Sequence, residues 1–87
     1  MPITVEFYGV ARLRAGHAQI EVEGTNLGDV LLAAERACPA LCGAVTDGGT
    51  LLSAYRASIN GLEFTTDPSA PLKLGDSVLI LAADAGG

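Results

Sequence analysis

Near its end the chain carries Ser77-Val78-Leu79-Ile80-Leu81, a run that is apolar on both faces of a strand, with Val78 and Ile80 on one and Leu79 and Leu81 on the other. A strand that alternates apolar with polar residues keeps one face in water. One that is apolar on both faces is covered on both and lies inside its sheet. This stretch therefore constrains everything before it: the last strand is central, and earlier strands flank it. Leu72-Lys73-Leu74-Gly75-Asp76 leads into it through a tight Gly-Asp turn, and beyond it stand small residues, Ala82-Ala83-Asp84-Ala85-Gly86-Gly87.

The flanking strands are legible. In Ile3-Thr4-Val5-Glu6-Phe7-Tyr8, the residues Ile3, Val5 and Phe7 share one face, the pattern of a half-buried strand. Gly9 follows, and Ala11-Arg12-Leu13-Arg14-Ala15-Gly16 reads as a loop closing a hairpin. His17 to Glu23 alternates again, with Ala18, Ile20 and Val22 expected inward and Gln19, Glu21 and Glu23 outward. Tyr55 to Gly61 reads as a third strand ending in an Asn-Gly turn, with Leu62-Glu63-Phe64 pairing back. Thr66 to Pro71 reads as a rigid loop.

One helix is clear. Asn26 is a good N-cap, and Asp29 three residues later is a short-armed version of the capping box. Leu27, Val30, Leu31, Ala34, Cys38 and Leu41 recur at helical spacing as one apolar stripe. Asp29 near the start and Arg36 near the end complement the helix dipole, and Pro39 marks the exit. Between Gly43 and Ser53, Asp47-Gly48-Gly49 signals a turn, and Leu41, Val45, Leu51 and Leu52 are placed to tuck the connection against the core.

The order is strand, strand, helix, strand, short strand, strand, which is an α+β layer. If the last strand lies beside the first, the two run parallel, and the helix crosses one face of a mixed sheet. That is the β-grasp, or ubiquitin-like, arrangement. The expected division is a β-grasp domain over 1–81 and a flexible Gly-Gly tail over 82–87.

Composition excludes several function classes. The chain has 87 residues, 49% of them hydrophobic, enough for one small core. A formal net charge of -5 argues against nucleic acid, whose partners are basic, and points to a basic partner surface. No apolar run reaches the length of a membrane span. The opening Met1-Pro2-Ile3-Thr4 lacks a basic segment, so no signal peptide is expected and a cytoplasmic location follows. Two thiols, Cys38 and Cys42, with one distant His17 do not make a tetrahedral zinc site. They are expected to be reduced, buried or half-buried, and without a chemical role. No metal is expected.

Four features together resemble a known family: the Val5-Glu6-Phe7-Tyr8-Gly9 strand, the Asn26-Leu27-Gly28-Asp29-Val30-Leu31 helix start, the Ile59-Asn60-Gly61 turn with the later Leu74-Gly75-Asp76-Ser77-Val78, and Gly86-Gly87. They look like the sulfur carriers of the ubiquitin-like class, which include the small subunit of molybdopterin synthase (MoaD) and the thiamine-pathway carrier (ThiS). The resemblance implies a cycle. An E1-like adenylating enzyme uses ATP to activate the Gly87 carboxylate. A sulfur donor protein supplies sulfur and leaves a thiocarboxylate. The large molybdopterin synthase subunit, or an equivalent acceptor enzyme, then takes the sulfur. No bound cofactor is implied. The long connection from Pro39 to Ala54 favours the molybdopterin type. Thiamine- or cysteine-pathway carriers and a ubiquitin-like protein modifier are the alternatives, and an interaction module with an incidental Gly-Gly is a third class.

The residue chemistry agrees with a carrier. A chain-end carboxylate titrates near pH ~3.5 and is ionised at neutral pH, so it needs a leaving group before it becomes an electrophile. Gly86 and Gly87, without a Cβ, can thread a narrow cleft. Ala82, Ala83, Asp84 and Ala85 complete the segment expected to contact partners, with Asp84 matching a basic residue there. This departs from the prolines and bulky residue that many members carry before the last glycines. His17, Glu21, Glu23 and Glu63 are expected at the surface, and Asp47-Gly48-Gly49 lacks the Lys and helix of a phosphate loop. Tyr8 and Leu81, with Leu62, are expected to form an apolar docking patch on the sheet face away from the helix, unless residues 43–53 cover it.

Overall fold

The computed structural model describes residues 2–83. Its main sheet has five strands: β1 (Ile3–Phe7), β2 (Gln19–Val22), β5 (Tyr55–Ile59), β6 (Glu63–Thr65) and β7 (Ser77–Ala82). Their spatial order is β2-β1-β7-β5-β6. The doubly apolar strand is thus central, as its pattern requires. It runs parallel to β1, with Val5 opposite Val78 and Phe7 opposite Ile80, and antiparallel to β5, with Ala57 opposite Ile80. A mixed sheet of this order crossed by one helix is the β-grasp fold.

Helix α2 (Leu27–Ala37) lies across one face. Asn26 accepts the Asp29 amide at 2.8 Å as its N-cap, while the Asp29 carboxylate reaches back to the Thr25 amide and hydroxyl at 3.3 and 3.1 Å. The amides of Leu27 and Gly28 donate to the carbonyls of Ala70 and Pro68. At Gly28 a Cβ would stand 3.2 Å from the Pro68 oxygen. The glycine in this helix start therefore lets the loop after β6 close over the helix N-terminus. Leu27, Val30, Leu31, Ala34, Cys38 and Leu41 are all buried, meeting Ile3, Val5, Val78 and Ile80 from the sheet. Cutting Leu31 or Ile80 to Ala would cost about 3 kcal/mol through lost burial and the cavity left behind.

Two expectations change. Residues 11–16 are not an open loop. They form most of helix α1 (Val10–Ala15), bounded by Gly9 and by Gly16, which caps it with φ 77. Ala11 and Ala15, four apart, are buried against the core and hold the helix in place. Ala18, expected inward, is exposed, because β2 begins only at Gln19; Ile20 and Val22 do turn toward the core. Residues 39–52 carry structure of their own: a 3-10 turn at Pro39–Leu41 and a two-stranded ribbon, β3 (Thr46–Asp47) with β4 (Thr50–Leu51), closed by the Asp47-Gly48-Gly49 turn. A Cβ on Gly49 would meet Leu32 Cγ at 3.0 Å and the Gly28 oxygen at 3.1 Å, so this ribbon lies against α2.

Candidate functional site

Strand parity sorts the sheet into two faces. Toward α2 point Ile3, Val5 and Phe7, then Val78, Ile80 and Ala82, then Tyr55, Ala57 and Ile59. The alternate residues point away: Glu6 and Tyr8 from β1 and its end, Leu79 and Leu81 from β7, Arg56 and Ser58 from β5, and Phe64 from β6. This is the open face. The ribbon at 43–53 packs on the helix side and leaves the open face uncovered.

The patch expected from Tyr8, Leu81 and Leu62 is only partly assembled. Tyr8 continues the β1 register, its amide donating to the Ile80 carbonyl at 3.0 Å, and this sets it beside Leu81. Tyr8 is 60% exposed, but Leu81 is only 9% exposed. Leu81 sits in the row between Tyr8 on β1 and Arg56, the residue opposite it on β5. Leu62 is exposed, yet it belongs to the 60–62 turn next to Ser77. That is the other end of β7, four residues or about 13 Å from Leu81. A second exposed apolar residue of the open face is Phe64, 58% exposed, on β6 at the far edge of the sheet from Tyr8, and the Arg56 guanidinium stacks over it at 4.5 Å. Arg56 and Phe64 were not singled out in the sequence. The signal was present in the alternation of Arg56 against Tyr55 and Ala57, but it needed the β5–β6 register to bring Phe64 alongside.

The base of the tail is also relocated. Strand β7 continues through Ala82, which is opposite Tyr55 and packs on the core. Ala83 is still fixed, donating its amide to the Ala54 carbonyl at 2.7 Å. The domain therefore extends to Ala83, not 81, because β5 offers acceptors that far. Asp84, Ala85, Gly86 and Gly87 lie outside the described residues.

At the opposite end of the open face is a shallow cleft of about 350 Å³ lined by Glu6, Ser58, Asn60, Gly61, Ser77 and Leu79. Its polar groups are spent on each other. Ser77 donates its amide to Asn60 Oδ1 at 2.8 Å and its hydroxyl to Glu6 at 3.5 Å, and the Asn60 amide nitrogen donates to Asp76 at 3.1 Å. Asp76 also accepts the Lys73 amide at 2.8 Å. That bond first, then the one from Asn60, hold its carboxyl below the usual range. This network ties the β5–β6 turn, where Asn60 has φ 54, to the start of β7. Glu6 is the one carboxylate that lines the cleft.

His17 is exposed, as expected, and so are Glu21, Glu23 and Glu63. Cys38 is buried and its thiol pKa is raised by burial. Cys42 is exposed, contrary to expectation, because Pro39 ends the helix and the 3-10 turn rotates Cys42 out of the stripe. Among the described residues no three His, Cys, Asp or Glu side chains gather as a metal site, and no helix is long and apolar enough to cross a membrane.

No family model and no curated relative matches the chain. Solved structures do. The chain is similar to SAMP1 from Haloferax volcanii, at 24% identity over 100% of both chains with a TM-score of 0.83. It is similar to a chain of the BexX/CysO complex from Amycolatopsis orientalis, at 22% identity over 98% of this chain and 99% of that one, TM-score 0.78. It is also similar to a chain of the complex of subunits 1 and 2 of molybdopterin-converting factor from Helicobacter pylori 26695, at 21% identity over 100% of both, TM-score 0.66.

Proposed function

We propose, from the premise that this chain has the fold of the ubiquitin-like sulfur carriers and modifiers, that it is itself a sulfur carrier acting through Gly86-Gly87. The observation that carries the reading is β7. It is central, paired on both edges as far as Ile80 and on the β5 side as far as Ala83, and the sequence then continues as Asp84-Ala85-Gly86-Gly87. A small rigid domain that leads into two glycines presents a carboxylate to an active site elsewhere.

The chemistry balances without a catalytic group on this chain. A carboxylate oxygen of Gly87 attacks the α-phosphorus of ATP on an E1-like adenylating enzyme, and pyrophosphate leaves. A sulfur nucleophile at the sulfide oxidation level, delivered by a donor protein, adds to the acyl-adenylate carbonyl and expels AMP. The resulting thiocarboxylate is ionised at neutral pH; its sulfur bonds to an acceptor carbon held by a second enzyme, and water then cleaves the acyl C–S bond, returning the Gly87 carboxylate and leaving the sulfur on the acceptor. ATP is thus a co-substrate of the activating enzyme, and this protein holds no cofactor.

Within that class we assign the chain to molybdopterin formation, as the small subunit of a molybdopterin synthase. The long Pro39 to Ala54 connection and the fold shared with a molybdopterin-converting factor complex support this. The second reading is a protein modifier joined to target lysines, favoured by the likeness to SAMP1. Intact mass of the protein co-expressed with its adenylating enzyme tests the class: one carboxylate oxygen replaced by sulfur is expected. An unaltered mass together with lysine conjugates in the lysate would install the modifier reading instead. Capture of the large synthase subunit by the thiocarboxylated protein is the expected result for the pathway.

A further inference from the structure

The chain is acidic overall, yet helix α1 is not. The chain's five cations are Arg12, Arg14, Arg36, Arg56 and Lys73. Because β1 and β7 are parallel and Phe7 is opposite Ile80, helix α1 begins at the end of the sheet where β7 finishes, and it packs against β7 and the 3-10 turn. The stretch 7–16, the end of β1 with α1, contains Arg12 and Arg14 and not one Asp or Glu, while Asp84 follows Ala83 in the sequence. The nine carboxylates of the described residues lie on other segments. Arg56 Nε is buried with no hydrogen-bond partner among the described residues.

The surface of α1 is unusual for a helix this short. Ala11 and Ala15 face the core, which leaves Val10, Leu13 and Arg14 on the outer face at i, i+3 and i+4. Val10 is 48% and Leu13 80% exposed, beside Tyr8. From Ala83 to Gly87 the main chain spans at most about 14 Å. A cleft that grips the Gly87 carboxylate must therefore open within that distance of Ala83, so its rim comes down on the exit side of the domain, where α1 stands.

Resting on the carrier reading above, we propose that α1 is a docking surface for the adenylating enzyme, and that the enzyme's rim at this place carries carboxylates. Val10 and Leu13 supply the apolar contact. Arg12 and Arg14 select an acidic rim, reversing locally what the net charge of -5 implies about partners.

The test is ATP–pyrophosphate exchange by the adenylating enzyme at varied concentrations of this protein. The double variant Arg12→Glu with Arg14→Glu should raise the KM for this protein about tenfold with kcat unchanged. The milder pair Arg12→Gln with Arg14→Gln should raise it less, and Arg36→Glu, the same charge change on α2, should leave it alone. Added salt should raise the wild-type KM, and the glutamate pair should lose that dependence. A double-variant KM equal to the wild-type one, in a protein whose melting curve shows it folded, overturns the proposal while wild-type exchange still upholds the carrier. No exchange with the wild-type protein brings down the carrier reading, and this one with it.

Discussion

The Ala83 amide donates a 2.7 Å hydrogen bond to the Ala54 carbonyl, one step beyond the pairing of Ala82 with Tyr55. These two residues belong to the sheet. A chain cut after Ala83 should therefore melt higher than one cut after Leu81, by about 1–2 kcal/mol of stability for the pairing lost. Removing Gly87 alone deletes no side chain and should leave the melting temperature unchanged while abolishing adenylation. Gly86→Val should do the same by steric exclusion. Melting curves and pyrophosphate exchange, run on each protein, separate the two effects. Normal adenylation without Gly87 would favour the plain interaction module.

Tyr8 and Leu81 are neighbours with opposite exposure, so the same substitution at each should behave differently. Tyr8→Asp places a charge in water and should shift stability by about 0.5 kcal/mol or less, while weakening binding to the activating enzyme. Leu81→Asp puts a carboxylate at a buried position and should cost about 3 kcal/mol. Phe64→Ala should resemble Tyr8→Asp, since Phe64 also lies exposed on the open face. Chemical denaturation and a binding isotherm measure the two consequences. Equal stability losses at 8 and 81 would contradict the packing described.

Asp76 makes an acid-sensitive link. Its carboxyl is held below the ordinary value of 3.8 by the Lys73 amide and then the Asn60 side chain. The depressed folded value means its contribution is present above the ordinary carboxylate range and is lost as pH falls through the folded value. Asp67 behaves in the same direction through the Ser69 hydroxyl and amide. Melting temperatures followed from about pH 6 to about pH 2 should fall most steeply below the ordinary carboxylate range. Asp76→Asn should flatten that fall, with the wild type losing its advantage at the acid end.

Cys38 and Cys42 differ in access. A thiol alkylating agent at neutral pH should label Cys42 in the folded protein and Cys38 only after denaturation, because burial both shields Cys38 and disfavours its thiolate. Mass mapping of the labelled peptides reads this directly. Cys38→Ser with Cys42→Ser should keep sulfur transfer, with the loss of stability confined to position 38.

The fold was written locally. Two-faced hydrophobicity in 77–81 required a central strand. The Asn26 cap, the helical stripe to Leu41 and the Asn60-Gly61 turn depend on spacing alone, since caps, periodicity and turn chemistry act over four residues or fewer. Helix α1 escaped because its signal is two alanines four apart, and that becomes a helix only when a core is there to bury them. The site divided in the same way. Gly86-Gly87 and the outward phase of Tyr8 are properties of the chain. The burial of Leu81, the arrival of Phe64 beside Arg56, the anchoring of Ala83 and the placing of α1 beside the end of β7 required tertiary structure. Each depends on separate elements meeting in register, and register across a sheet is set by the whole core at once.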